Sequence, residues 1–312
     1  IEKTGENSAR WFPPNEEGVH SVSVERKLVY APYSESKPKR VYRGKAEIRF
    51  LVPRVVDRIV DGKINGFPVG EYPNPDNPQD LAAASTPGRI RRHSDVYQPP
   101  TRWYRVDEST RDLKITRDYR LGDFDLDPRF RPMSYPHYIA LDPNLLLKMD
   151  ALKERMNRDR YEIERFDLIY GFRSPYYNLS EYEKDGDTSL KSSFSVHMYG
   201  KACDIIIDRD GDLVMDDLNR DGTIDIRDAE VILRYVNEMD HEYIRQGTPL
   251  VGGAGVYPHH DFWERGEVAQ SPYIHVDVRG FADEQGMPIR WRGKNTLARH
   301  NRLSTTQNSD AG

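Results

Sequence analysis

Apolar and polar residues alternate along the first part of the chain, over 20–30 and again over 41–52. A period of two is typical of β-strands that bury one face. Asp61-Gly62 supplies the residues of a tight two-residue turn, which predicts a hairpin leading into 63–66. We therefore expect a small β-rich domain over residues 1–138.

Residues 71–101 break this alternation because they are rich in Pro, Asp and Asn, and such a composition predicts a long irregular segment. Within the first 130 residues the sequence brings no reactive side chains together. Three isolated histidines are expected at the surface or in ordinary hydrogen bonds: His20, His93 and His137. The predicted role of this domain is structural, or to offer a surface to a substrate.

A helical period begins after Asp142, which can cap a helix whose first residue is Pro143. The apolar face of this helix, predicted to be core, consists of Leu145, Met149, Leu152 and Met156. The next apolar run, 166–170, predicts a strand that ends shortly before Arg173.

The centre of the chain combines a histidine and an aspartate with a short β-branched run. His197 and Asp204 lie seven residues apart, and 205–207 predict a buried strand. Gly200 lets the chain turn back, so the two side chains can converge. A catalytic zinc site needs a third protein ligand and leaves a fourth position for water; the best candidate is His275, in another β-rich run. A hydrogen-bonded His–Asp pair without a metal is the alternative.

The composition narrows the function classes. Of 312 residues 37% are hydrophobic and 31% charged, and the net charge is −5, which argues against a general binder of nucleic acid or anionic membranes. No apolar run approaches the length of a membrane span. The chain begins at Ile1 with no charged-then-apolar leader, so we expect a removed signal peptide or a shortened chain.

Cys203 is the single cysteine, which precludes an internal disulfide and a thiolate metal cluster. It lies inside the predicted strand, where we expect it to act as a small buried hydrophobe. A thiol ligand or nucleophile is the alternative.

The stretch Ser195-x-His197-x-x-Gly200-x-Ala202-x-Asp204 resembles the SxHxxGxAxD signature of the zinc D-alanyl-D-alanine peptidases, which share the hedgehog/DD-peptidase fold. Four further blocks resemble that family and occur in its order: 170–178, 252–258, 275–277 and 289–291. The resemblance implies an α+β fold, in which an antiparallel sheet with flanking helices over residues 139–300 follows the β-rich domain.

The resemblance also implies roles for individual residues. Zn²⁺ would be held by His197, Asp204 and His275, and Arg173 would hold a carboxylate or carbonyl of a peptidoglycan peptide; a solvated surface charge is the alternative for Arg173. We expect Ser195 to make a local hydrogen bond. Tyr273 either donates to the developing oxyanion or packs.

The general base stays open. The carboxypeptidase branch has a Glu or His shortly before the last ligand, but here Ser271, Pro272 and Tyr273 precede His275. Asp277 is the first choice, and its competing role is to orient a ligand imidazole. Other candidates are His259 and His260, and more weakly Glu264 and Glu267. Residues 253–258 and Trp291 favour an endopeptidase over a carboxypeptidase.

An insertion over 208–240 separates the second and third ligands. Its central part matches a calcium loop, with the pattern residues Asp217, Asn219, Asp221, Thr223, Asp225 and Asp228. The loop ends in Asp, not in the EF-hand Glu, and so resembles a dockerin-type loop. Ile224 is expected to pack inward, and a helix is expected over 229–239. A solvated acidic loop is the alternative.

A second, weaker oxygen-rich site is predicted at Asp208, Asp210, Asp212 and Asp216. In this site Leu213 stands where the loop pattern has glycine. Bound Ca²⁺ would lock the insertion and stiffen one wall of the zinc cleft. Because the repeat is single and embedded, a cohesin-type partner is not expected; the sequence leaves other protein partners open.

The sequence therefore predicts a zinc peptidase of the cell wall that acts outside the cytoplasm on peptidoglycan stem peptides or cross-links. One alternative is a non-catalytic cell-wall binding module on the same fold. Another is a calcium-dependent surface scaffold. The polar residues 301–312 are predicted to form a disordered tail.

Overall fold

The computed structural model describes residues 2–5, 8–10, 16–30, 40–125, 136–178, 192–264 and 267–293. Side chains are described from residue 16 onward within these ranges, except at 26–30, 40–42, 259–264 and 267–270. The predicted tail, 301–312, lies outside the described residues. No helix in the described ranges is both long and apolar enough to cross a membrane.

Nine strands form small antiparallel sheets among the described residues up to 139. They are β1 (Glu2–Gly5), β2 (Ser8–Arg10), β3 (Gly18–Tyr30), β4 (Arg40–Val52), β5 (Arg54–Val55), β6 (Lys63–Ile64), β7 (Phe67–Pro68), β8 (Arg102–Val106) and β9 (His137–Ile139). The sheets are β1-β2, β3-β4, β5-β8-β9 and β6-β7.

The alternating runs form the strands that their period predicts, but not the buried face. β3 pairs with β4 along its whole length, and yet Val24 and Ile48 are each 50% exposed. In the described part of the chain β3 and β4 pair only with each other, so the ribbon has no further strand to cover its apolar side. The predicted turn is confirmed: Asp61 and Gly62 both have positive φ, 50° and 63°, as a type I′ hairpin requires.

The prediction of an irregular segment over 71–101 is wrong in part. This segment contains α1 (Pro78–Ala82), α2 (Pro87–Arg92) and a 3-10 turn over Ser94–Tyr97. Both helices begin with proline, whose fixed φ suits the first helical position. The Asn77 side chain accepts a hydrogen bond from the Gln79 amide and so caps α1.

Two long helices flank the C-terminal part. α3 (Pro143–Arg158) has the predicted cap, since Asp142 accepts from the Asn144 amide, and its predicted apolar face is buried. α4 (Ile226–Gln246) is longer than predicted. It begins at a capping box: the Asp225 side chain accepts from the Asp228 amide, and the Asp228 side chain accepts from the Asp225 amide.

Five strands form the main sheet. They are β10 (Asp167–Tyr170), β11 (Ala202–Ile206), β12 (Gly253–Glu264), β13 (Glu267–Asp277) and β14 (Ile289–Arg292), in the order β10-β11-β13-β12-β14. All neighbours are antiparallel except β12 and β14. The α+β class is thus confirmed.

One hydrophobic core crosses the predicted domain boundary at residue 138. Trp103 of β8 is fully buried and meets the Phe172 ring edge-to-face at 5.7 Å. The Tyr72 hydroxyl donates to the Met198 carbonyl at 2.6 Å. Residues from both sides of the boundary, including Phe124, Met149 and Val276, belong to the same buried cluster.

A buried ionic network joins α3 to α4 and to the sheet. The Lys148 ammonium, which has no exposed surface, donates to Asp240 Oδ1 at 2.6 Å and to the Asp277 carbonyl at 2.9 Å. Asp240 Oδ2 accepts from Arg290 Nη2 at 2.7 Å. Burial lowers the pKa of Lys148 although Asp240 opposes the shift. Each charge in this network depends on the others because water cannot replace a lost partner.

We expect Lys148→Met to lower the free energy of unfolding by about 3–5 kcal/mol, since it leaves a buried carboxylate with less compensation. Arg155→Met is the matched control, because Arg155 also links α3 to α4, through Glu238 and Glu242, but at the surface. Its loss should cost under about 1 kcal/mol. Urea unfolding measures both, and equal losses would contradict the assigned role of Lys148.

Candidate metal centre

Three side chains from separate elements meet on one face of the sheet. His197 lies in a 3-10 turn over Val196–Tyr199, Asp204 in β11 and His275 in β13. Asp204 and His275 are direct partners across the antiparallel pair, so their side chains lie on the same face. Gly200 ends the turn with a φ of 67°, and a Cβ there would collide with the Ala140 carbonyl. This turn returns His197 to the strand that carries Asp204.

The three side chains touch one another through the atoms that bind metals. His197 Nε2 lies 3.0 Å from His275 Nδ1 and 3.2 Å from Asp204 Oδ1, and His275 Nδ1 lies 2.8 Å from Asp204 Oδ1. All three residues are more than nine-tenths buried. The predicted convergence of His197, Asp204 and His275 is therefore present.

The outer hydrogen bonds of the two imidazoles fix their tautomers. His197 Nδ1 lies 2.8 Å from the Gly171 carbonyl, which only accepts, so this nitrogen carries a proton. His275 Nε2 lies 3.2 Å from Asp277 Oδ2, and a carboxylate likewise only accepts. In the neutral rings, both remaining nitrogens then present lone pairs to one point, together with a carboxylate oxygen. Three electron-pair donors at this distance can share a proton or a metal cation, and two imidazoles with one carboxylate are a donor set that suits Zn²⁺.

The local electrostatics set the charge state of each member of the cluster. Burial, reinforced by the Arg173 charge, lowers the pKa of His197 to about 4, so this imidazole is neutral near pH 7. Burial raises the pKa of Asp204, but the two imidazoles outweigh it and hold the pKa well below its usual range. Burial lowers the pKa of His275, yet its bonds to Asp204 and Asp277 raise it overall. A proton on His275 Nδ1 and a metal ion would occupy the same place.

Asp277 lies behind His275. It has no exposed surface, and besides His275 it accepts from the Gly253 amide at 2.7 Å and from Arg279 Nε at 2.9 Å. Burial raises the pKa of Asp277, but Arg279 outweighs it and keeps the carboxylate charged. With its oxygens engaged in this way, Asp277 fits the second of its two predicted roles, orienting a ligand imidazole, and not that of a general base.

A cleft of about 440 Å³ opens over the cluster. Arg173 lines it as predicted, and its Nε is buried without a hydrogen-bond partner; its guanidinium lies 5.4 Å from the Tyr170 ring centre. Ser195 also lines the cleft, directly before the turn that carries His197. An unpaired guanidinium beside the cluster provides a site for an anionic or carbonyl group.

Tyr257 lines the cleft, although no role is predicted for it from the sequence. Its hydroxyl accepts from Trp291 Nε1 at 2.8 Å, so its own proton stays available for donation. Burial raises the pKa of Tyr257, which keeps the phenol protonated. Tyr273, the predicted oxyanion donor, stacks on Tyr257 at 4.6 Å and does not line the cleft, so its packing role is the one that fits. The two tyrosines are direct partners across β12 and β13, and the sequence alone does not show this pairing.

The side chains of the remaining candidates for a general base lie outside the described residues. His259 and His260 belong to β12, and Glu264 and Glu267 flank its connection to β13. Of the three isolated histidines, none approaches the cluster: His137 bonds Asp125 at 3.0 Å, His93 stacks on Phe281, and His20 bonds the Glu16 carbonyl.

The predicted calcium loop has its carboxylates engaged with its own backbone. Asp228 is fully buried and accepts from the Leu218, Asn219 and Asp225 amides. The other pattern side chains accept from amides of the loop in the same way: Asp217, Asn219, Asp221 and Asp225. Thr223 is exposed. The structure brings no three carboxylates of this loop together as a metal-binding group.

Two further features of the insertion differ from the predicted loop. Arg227 pairs with Asp221 at 2.6 Å and with Asp225 at 2.8 Å, so a guanidinium supplies positive charge there. Ile224 is 46% exposed, so the prediction that it packs inward is wrong; Leu218 before it and Ala229 after it belong to the main core instead.

The weaker acidic site is only partly assembled. Asp208, Asp210 and Asp216 gather closely enough to share a cation, and Asp212 does not join them. Arg209 pairs with Asp216. Leu213 takes a φ of 65°, the left-handed conformation for which the loop pattern has glycine.

Comparisons with protein-family models, curated proteins and solved structures found no match for this chain.

We expect Asp277→Asn to weaken Zn²⁺ binding by about 10–100-fold, because the His275 imidazole loses the partner that fixes its tautomer. Competition with a chromophoric chelator measures the affinity, and thermal melting checks the fold. Asp283→Asn is the control, since that carboxylate lines the cleft but bonds only amides of its own turn. A lower melting temperature with unchanged affinity would limit Asp277 to a structural role.

Asp228→Ala should destabilise the protein by about 2–4 kcal/mol, because three amides lose their acceptor and the helix loses its capping box. Asp221→Ala, at an exposed position, should cost about 0.5 kcal/mol or less. If the loop binds Ca²⁺, both variants should also lose the stabilisation that added Ca²⁺ gives the wild type in urea unfolding. Wild-type unfolding that is indifferent to Ca²⁺, with calorimetry showing no binding, would contradict the calcium prediction.

Proposed function

We propose that this protein is a zinc-dependent peptidase that hydrolyses peptidoglycan stem peptides or cross-links. The observation that carries the proposal is the meeting of two imidazole lone pairs and one carboxylate oxygen within 3.2 Å, at the base of a cleft. The sequence motif around His197 and Asp204 resembles that of the D-alanyl-D-alanine peptidases, and an antiparallel sheet carries the second and third ligands. The hedgehog/DD-peptidase fold is part of this proposal.

His197, Asp204 and His275 would hold the ion. Zinc in such a site lowers the pKa of water toward neutrality and polarises the scissile carbonyl. The protein supplies the orientation: the Gly171 carbonyl holds the His197 ring, and Asp277, held by Arg279 and the Gly253 amide, holds the His275 ring. This leaves both rings with the lone pair directed at the ion.

Two cleft residues would bind the reacting peptide. The Arg173 guanidinium receives a substrate carboxylate or carbonyl, because its buried Nε has no partner of its own. The Tyr257 hydroxyl, held by Trp291, donates to the oxygen on which negative charge develops. Peptidoglycan lies outside the cytoplasm, so the proposed site of action is extracytoplasmic.

A non-catalytic cell-wall binding module is the second candidate. It is favoured by the scarcity of candidate general bases in the cleft. Apart from the ligands, the one carboxylate among the described lining residues is Asp283, and its Oδ1 already accepts from the Gln285 and Met287 amides. Such a module would bind the peptide and the metal without cleaving it. A calcium-dependent scaffold requires the insertion, and not the zinc cluster, to be the active part.

The test is digestion of purified peptidoglycan by the zinc-loaded protein, with products identified by mass spectrometry. We expect new peptide fragments, their loss with a zinc chelator and their return with added zinc. His275→Ala should lower both the zinc content and cleavage to the chelated level, whereas His241→Ala, on α4 outside the cleft, should change neither.

Three results distinguish the candidates. Stoichiometric zinc with binding to insoluble peptidoglycan but no fragments supports the binding module. Calcium without zinc in metal analysis supports the scaffold. Fragments that persist after His275→Ala and chelation would contradict a zinc peptidase.

A further inference from the structure

Residues 71–97 form a wall of the cleft, although they lie outside the part of the sequence that resembles the peptidases. Ser85, Thr86 and Arg89 from this segment line the same cavity as His197 and His275. The segment is attached to the turn that carries His197: the Tyr72 hydroxyl donates to the Met198 carbonyl, and the Tyr97 ring meets the Tyr199 ring edge-to-face at 5.7 Å.

The same segment is attached to the loop that follows β13. The His93 ring stacks on the Phe281 ring at 3.7 Å with an interplanar angle of 1°, and Arg92 pairs with Glu284. The segment thus bridges the chain stretches that follow two of the proposed ligands. A wall anchored at both ends holds its cleft-facing side chains in a fixed position relative to the metal cluster.

The charges of the cleft are unbalanced. Four arginines line it: Arg89, Arg173, Arg279 and Arg290. Arg279 is neutralised by Asp277, and Arg290 by Asp240. In the described part of the chain the side chains of Arg89 and Arg173 have neither a hydrogen bond nor an ion pair, and Asp283 is the one carboxylate that lines the cleft. Two uncompensated guanidinium groups therefore face one cavity from different walls.

We infer that Arg89 forms a second anion subsite, which binds a carboxylate of the peptide away from the bond that is cut. The inference rests on the proposed function in taking a peptide as the ligand. Arg173 would hold one carboxylate beside the cluster, and Arg89, with the Ser85 and Thr86 hydroxyls beside it, would hold another. The preferred substrate is then a peptide with two carboxylates, because a planar guanidinium binds a carboxylate through two parallel hydrogen bonds.

The experiment compares two synthetic peptides that end in D-Ala-D-Ala and differ at one side chain, Glu or its uncharged isostere Gln. The zinc-loaded full chain is assayed with each: kcat/KM is measured if the peptide is cleaved, and Kd by calorimetry if it is not. We expect the wild type to prefer the Glu peptide about tenfold, a ratio typical of one hydrogen-bonded charged group.

Arg89→Gln should abolish this preference by weakening only the Glu peptide, and Arg89→Lys should keep part of it because the charge remains. Arg91→Gln is the matched control: Arg91 is exposed on the same helix and does not line the cleft, so the tenfold preference should persist. Melting temperatures verify that each variant is folded.

A wild type without preference for the Glu peptide, or a folded Arg89→Gln variant that keeps the preference, would overturn the inference. Either result can be measured whether or not the peptide is cleaved, from kcat/KM in the first case and from Kd in the second. Failure of the subsite is therefore distinguishable from failure of the proposed peptidase activity, which the peptidoglycan digestion tests separately.

Discussion

The candidate site depends on the close approach of three electron-pair donors, two imidazole nitrogens and one carboxylate oxygen. His197 Nε2, His275 Nδ1 and Asp204 Oδ1 lie within 3.2 Å of one another, and all three residues are buried. Such a group is unstable unless positive charge lies between its members, because burial removes the water that would otherwise screen their repulsion. The Gly171 carbonyl and Asp277 hold the imidazole protons on the outer nitrogens, so the positive charge has to come from a further proton or from a metal ion.

The surrounding chain is organised to hold this group. Antiparallel register makes Asp204 and His275 direct partners, and the turn over 196–199 adds His197. Behind them, Asp277 is held by Arg279 and the Gly253 amide, and the Asp277 carbonyl accepts from Lys148. Lys148 is in turn paired with Asp240 on α4. A continuous set of buried charges thus connects the third proposed ligand to both long helices, so disruption of the helix pair is expected to reach the cleft.

The cleft is a composite of distant parts of the chain. The turn over 196–199 and the strands β11 and β13 supply the cluster, and β12 supplies Tyr257, whereas another wall comes from the segment with α2. This explains why a short polar segment carries aromatic residues at its ends: Tyr72 and Tyr97 pack on the turn that carries His197. The N-terminal part therefore supplies one wall of the cleft, including the Arg89 side chain.

The sequence by itself determined the local features whose physics is short-range. The helix cap at Asp142, the hairpin turn at Asp61-Gly62, the apolar face of α3 and the strand 202–206 follow from caps, positive φ and periodicity. It also indicated that His197, Asp204 and His275 converge, because a recognisable motif fixes their spacing. Only the tertiary structure showed the contacts of Asp277, the position of Tyr257 in the cleft, the helices within 71–101, the exposure of Ile224 and the α2 wall. Each of these depends on contacts between residues far apart in the chain, or on whether another element covers a given face, and neither periodicity nor local propensity carries that information.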